Sequence, residues 1–146
     1  MKLDELLKKY SLPSKEQLEQ ELGELNEEYT LIEVIKELRE KIGKYMSFLE
    51  HLLQPESDMV QLGEAGRFSD REREHIYQLL CTLLAKHREY YHTYLTYNAD
   101  EHAQYCKDLF ALWQEKKEQV RKIVLQALQA WDETQTLQEA KQSYLG

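Results

Sequence analysis

Four carboxylates, Glu21, Glu24, Glu37 and Glu40, are the first residues in this 146-residue sequence whose type and spacing could do chemistry. Oxygen ligands of this kind hold Mg²⁺, a hard cation that bridges phosphates. Two Glu-x-x-His pairs, Glu72 with His75 and Glu89 with His92, match the ligand motif of carboxylate-bridged di-metal bundles. Both pairs fall on one predicted helix, 17 residues apart, which is roughly 25 Å at the helical rise. They cannot share two ions about 4 Å apart. His92, His102 and Cys106 form a third set, gathered around a predicted helix–helix turn, and with Asp108 or water could hold Zn²⁺. No Cys-x-x-Cys or His-Glu-x-x-His accompanies them. The spacing reads more simply as a small apolar cysteine in a core with histidines at its rim. No glycine loop ends in Gly-Lys-Ser/Thr, and no Ser-His-Asp arrangement can be argued from spacing.

The acidic set carries a resemblance. Gln20-Glu21-Leu22-Gly23-Glu24, followed by Glu37-Leu38-Arg39-Glu40, resembles in part the signature of the MazG-like nucleotide pyrophosphohydrolases, Glu-Glu-x-x-Glu and then Glu-x-x-Asp on the next helix. The resemblance spans about 21 residues. It implies Mg²⁺ held by Glu21, Glu24, Glu37 and Glu40 and hydrolysis of nucleoside triphosphates to pyrophosphate. Gln20 stands where the family has Glu, and Glu40 where it has Asp. Facing argues the other way. At 100° per residue Glu40 lies about 180° from the apolar seam of its helix, Gln20 about 170° and Glu24 about 130° from theirs. A bundle-core metal site needs its carboxylates inward, so these positions read as a solvated charged face.

Two strongly polar residues, His87 and Lys117, interrupt otherwise apolar seams. Equal distance from the turn puts His87 near Leu109 and Lys117 near Leu79. They therefore act separately, fixing helix register or reaching to the rim. Tyr90, Tyr91, Tyr94, Tyr97 and Tyr105 gather near the same turn. A stacking platform for bases would need a cationic groove as well; tyrosines at a bundle end, rings inward and hydroxyls wet, need none.

These residues must be positioned by helices, because no strand alternation occurs in the sequence. A short first helix, about 3–10, stops before Leu12-Pro13. Ser14 with Gln17 opens a second, with the seam Leu18, Leu22, Leu25 and Tyr29. Thr30 with Glu33 opens a third, whose seam Leu31, Ile35, Leu38, Ile42, Tyr45, Leu49 and Leu52 alternates steps of four and three. The second and third form either a hairpin or one kinked rod. Pro55, Gly63 and Gly66 punctuate an irregular loop over about 54–69, in which Met59, Val60, Leu62 and Phe68 need cover. Ser69 with Glu72 starts the fourth helix, with seam Ile76, Leu80, Leu83, His87, Tyr90 and Tyr94. Asn98 with Glu101 starts the fifth, with seam Cys106, Phe110, Trp113, Lys117, Val120, Val124, Ala127 and Trp131, continuing to about 140 before a tail frays over about 141–146.

The fourth and fifth helices should form an antiparallel hairpin about residues 96–98. Ser69 then lies opposite Ala127, and Trp131 and Leu137 project past their partner. Either the loop and first two helices cover them or a second copy does, and a tryptophan at an interface favours the second copy.

Composition agrees. With 42% apolar and 32% charged residues and only five Gly and two Pro, the chain is neither disordered nor low-complexity. At 17.5 kDa it suits one core. The expected fold is all-α, an antiparallel bundle of four main helices plus a short N-terminal one, with residues 1–146 as a single domain. Nineteen basic against 27 acidic side chains give −8, spread evenly, which disfavours nucleic acid and anionic membrane surfaces. No apolar run of about 18 residues spans a membrane, and MKLDELLKKY has no secretory h-region. Two cysteines form no framework and suit a reducing cytoplasm. The sequence therefore points to a non-catalytic protein-interaction module, an adaptor or chaperone-like scaffold, self-associating and without cofactor. Its candidate contact residues are Met59, Val60, Leu62, Phe68, Tyr91, Tyr94, Tyr97 and Trp131.

Overall fold

Local capping decides where the helices begin. The computed structural model describes residues 1–132 and 141–142. Among these, all regular structure is helical: α1 Leu3–Lys9, α2 Lys15–Leu22, α3 Leu31–Leu53, α4 Met59–Ala65, α5 Asp70–Thr93, α6 Ala99–Leu128 and a 3₁₀ turn Gln129–Trp131. Ser14 caps α2 with Gln17 in the expected reciprocal box. Thr30 and Glu33 do the same for α3, at 2.7 and 3.4 Å, and Ser69 with Glu72 for α5, at 2.9 and 3.2 Å. Asn98 Oδ1 accepts from the amides of Asp100 and Glu101 at 3.0 and 3.2 Å, opening α6. Each cap satisfies donors that the first turn cannot.

Three boundaries differ from the sequence expectation. α2 ends at Leu22, not near Tyr29, because Gly23 turns the backbone to φ +81°, ψ −168°, a region essentially restricted to glycine. Residues 23–30 then form an irregular connection, so α2 and α3 are neither a tight hairpin nor one rod. The loop over 54–69 is not wholly irregular: Asp58 accepts from the Gln61 amide at 2.8 Å and caps α4. A helix of seven residues is too short for periodicity to reveal it. α6 tightens to 3₁₀ after Leu128 instead of running on. Leu137 and the expected frayed tail, apart from 141–142, lie outside the described residues.

The chain packs as two compact units, each assembled from separate stretches. The first comprises Met1–Gly43 with Ala85–Gln114; the second, Lys44–Leu84 with Glu115 onward. α3, α5 and α6 contribute to both. In the first unit Leu3, Leu7, Leu18, Ile35, Leu38 and Leu109 are fully buried. In the second, Leu49, Leu52, Ile76, Leu83, Ala127 and Ala130 are fully buried. The predicted α3 seam is inward throughout, with only Tyr45 half-exposed. α6 returns antiparallel to α5: the Tyr105 hydroxyl donates to the Lys86 carbonyl at 2.8 Å, and Gln126 donates to Glu72 at 2.8 Å. That places residue 126 beside 72 and 67, as counting from the turn requires. No described helix is long and apolar enough to cross a membrane.

Candidate functional site

The proposed cation ligands do not converge. Glu21 is the one turned inward, its side chain only 8% exposed. Its carboxylate accepts from Lys41 Nζ at 3.0 Å, from Gln114 Nε2 at 3.0 Å and from the Trp113 indole N–H. Lys41 also donates to the Glu21 carbonyl at 2.6 Å. Donors from α3 and α6 thus fill its oxygens, and its work is to tie three helices of the first unit together. Glu24 and Glu40 are exposed and Glu37 is half-buried. Among the described residues no three His, Cys, Asp or Glu side chains are grouped to hold a metal ion. His102 and Cys106 are fully buried whereas His92 is exposed, so the third set is not brought together either. Burial pushes the Cys106 thiol up to about 12, as for a small apolar cysteine in a core.

A polar and aromatic cluster forms instead where α3, α5 and α6 meet in the first unit. Arg39 on α3 donates to the His87 carbonyl at 3.1 Å and to His87 Nδ1 at 3.4 Å. His87 Nε2 lies 3.2 Å from the Arg39 carbonyl. These contacts fix the tautomer, because Nδ1 accepts and Nε2–H donates only in a neutral imidazole. Burial first, then the Arg39 charge, holds the His87 pKa below the ordinary histidine range. The Arg39 guanidinium also lies 4.9 Å from the Tyr90 ring centroid and 5.5 Å from that of Tyr91. Lys117 is exposed on α6. The sequence marked His87 as an anomaly in its seam; Arg39, its partner 48 residues away, carried no local signal.

Above this cluster sits the tyrosine-rich end. Tyr90 packs on Tyr105 at 4.9 Å between centroids and on Tyr94 at 5.6 Å, and edge-on to His102 at 5.7 Å. His102 Nδ1–H donates to the Asn98 carbonyl at 2.9 Å, and Tyr97 covers its ring at 5.0 Å. Burial raises the hydroxyl pKa of Tyr90, and of Tyr105 to about 12. Over this ordered base Tyr91, Tyr94, Leu95 and Tyr97 are 62%, 59%, 81% and 65% exposed. Leu95 was not among the residues the sequence singled out, although it adjoins three that were.

The remaining candidates lie in the second unit. Met59 and Val60 are exposed at the start of α4, Leu62 is half-buried, and Phe68 is buried. Trp131 is half-buried: α4 packs against the 3₁₀ turn that bears it, and its indole N–H donates to Glu64 at 3.3 Å. The chain's own loop therefore supplies cover that the sequence assigned to a second copy. Phe68, Ile76, Leu79 and Ile123 floor a groove of about 320 Å³ rimmed by Glu72, His75, Lys122 and Gln126. Glu72 and His75 are thus a helix start and a groove rim, while Glu89 and His92 are exposed. No protein-family model, curated protein or solved structure matches the chain.

Proposed function

We propose that the chain is a non-catalytic protein-interaction module, an adaptor or chaperone-like scaffold of the cytoplasm, which binds protein through apolar and aromatic anchors and pairs with itself. One observation carries this reading: Tyr91, Tyr94, Leu95 and Tyr97 stand mostly exposed at a single turn, over a base of buried aromatic rings. Scattered apolar residues on a surface are ordinary, whereas a contiguous group signals contact. Tyrosine suits such a surface because it offers a large rigid ring at low entropic cost. The acidic net charge of −8 supports a protein partner over nucleic acid or an anionic membrane. Cys81 and Cys106 as free thiols fit a reducing compartment.

The test uses a permanently unfolded chain, reduced and carboxymethylated lysozyme bearing a fluorophore, as a probe rich in accessible apolar segments. Its anisotropy should rise saturably on titration with the protein. Tyr94→Ser combined with Leu95→Ser should weaken binding at least about tenfold, or roughly 1.4 kcal/mol, with far-UV dichroism unchanged. Absence of binding, or equal binding by the variant, overturns the assignment.

A further inference from the structure

Helix α5 carries a second heptad stripe on the side away from its core. Tyr77, Cys81, Leu84, Arg88 and Tyr91 follow one another at steps of four, three, four and three. At 100° per residue they occupy an arc of about 80°, centred about 140° from the mean direction of the buried residues of α5. Tyr77, Leu84 and Tyr91 are 55%, 38% and 62% exposed, and Cys81 and Arg88 are exposed between them. An apolar stripe that keeps 3.5-residue spacing matches another helix of the same spacing, not a sheet or a small ligand.

Its charges choose the partner and the direction. Glu74 continues the stripe one step before Tyr77, while Arg88 lies near its other end. In a parallel pair of two copies Glu74 would face Glu74 and Arg88 would face Arg88, an arrangement like charges oppose. In an antiparallel pair Cys81 meets Leu84, and Arg88 meets the ring of Tyr77 with Glu74 one turn, about 5 Å, beyond it. Each guanidinium then has a ring and a carboxylate to sit between, twice by symmetry.

We propose that this outward face of α5 is where two copies of the chain pair, antiparallel and around a twofold axis near residues 82–83. This rests on the self-pairing reading above and names its surface. The stripe is about 21 Å long from Tyr77 to Tyr91, shorter than a standard interface requires, so the pair is a weak one with micromolar affinity or below.

Sedimentation equilibrium of the full chain tests it. The native protein should pass from 17.5 kDa toward twice that mass as concentration rises to the millimolar range. Glu74→Lys and Arg88→Glu should each weaken pairing at least about fivefold, since each sets like charges together at two places. The double exchange, Glu74→Lys with Arg88→Glu, should return affinity to within about threefold of native, because it swaps the signs and keeps the complement. Both positions are exposed, so folding is not at stake. A native chain that stays monomeric overturns both this surface and self-pairing. A dimer indifferent to the single changes, or not restored by the double, overturns the α5 surface and leaves self-pairing standing.

Discussion

His87 shows what one side chain gains from its neighbours. A protonated imidazole would lose the bond it accepts from Arg39 and face a guanidinium already within hydrogen-bond distance. Its folded pKa lies below the ordinary value, chiefly through burial, so the unfolded chain binds the proton more readily than the folded one. Stability is therefore full above the unfolded pKa, near 6.5, and declines as pH falls from there toward the folded pKa. Urea denaturation should show a lower unfolding free energy at pH 5.5 than at pH 7.5. His87→Gln, whose amide can donate and accept in the same places without titrating, should lose less over that interval. An equal loss in both proteins would show that the Arg39 contact does not set the pH response. The sequence flagged His87 because an imidazole interrupts an apolar seam. It could not supply Arg39, since periodicity reports which face a residue occupies and not what meets it across the fold. Glu21 makes the same point from the other side: it was grouped with Glu24, Glu37 and Glu40 by spacing, yet its environment comes from Lys41, Trp113 and Gln114.

Elements were legible in proportion to their length. The 23 residues of α3 present three heptads, and summed periodicity over that span outweighs any local exception. The eight residues of α2 were read correctly at their capped start and too long at their end, because Leu25 and Tyr29 sustain an apolar rhythm after the backbone has turned. Leu25 is buried from an irregular segment, so an inward side chain mimicked a helical one. The turn itself depends on Gly23. A methyl group there would meet no atom within 4 Å, so Gly23→Ala costs backbone strain alone, about 1–3 kcal/mol in this region of φ and ψ. Gly43 provides the contrast: it lies inside α3 and an added Cβ would make an ordinary 3.7 Å contact with His87. Gly43→Ala should stabilise by about 0.5–1 kcal/mol. Urea midpoints moving in opposite directions would establish that the two glycines serve different purposes; movement in the same direction would contradict it.

At the scale of the whole molecule, all-α architecture followed from the absence of any period-two pattern and from four capping signals that the structure keeps. Which residues would remain outside was harder to read. Core-facing and outward stripes on α5 obey the same 4-3 rule, and only tertiary packing assigns Ile76, Leu83 and Tyr90 to the interior and Tyr77, Leu84 and Tyr91 to the surface. The two units bear on folding as well as on binding. Each contains one tryptophan, Trp113 in the first and Trp131 in the second. Neither unit is a continuous stretch, since α3, α5 and α6 each pass from one into the other. Melting one unit alone would break three helices in mid-course and leave unsatisfied backbone groups at three new ends. Helix propagation is favourable once nucleated, so such fraying is opposed three times over. Unfolding should therefore be a single transition. Trp113→Phe leaves Trp131 as the only indole, and Trp131→Phe leaves Trp113. In each variant the urea midpoint from fluorescence should coincide with that from its own far-UV dichroism, even though Trp113→Phe loses the bond to Glu21 and will unfold at lower urea. Separate midpoints within either variant would mean that the shared helices do not couple the units.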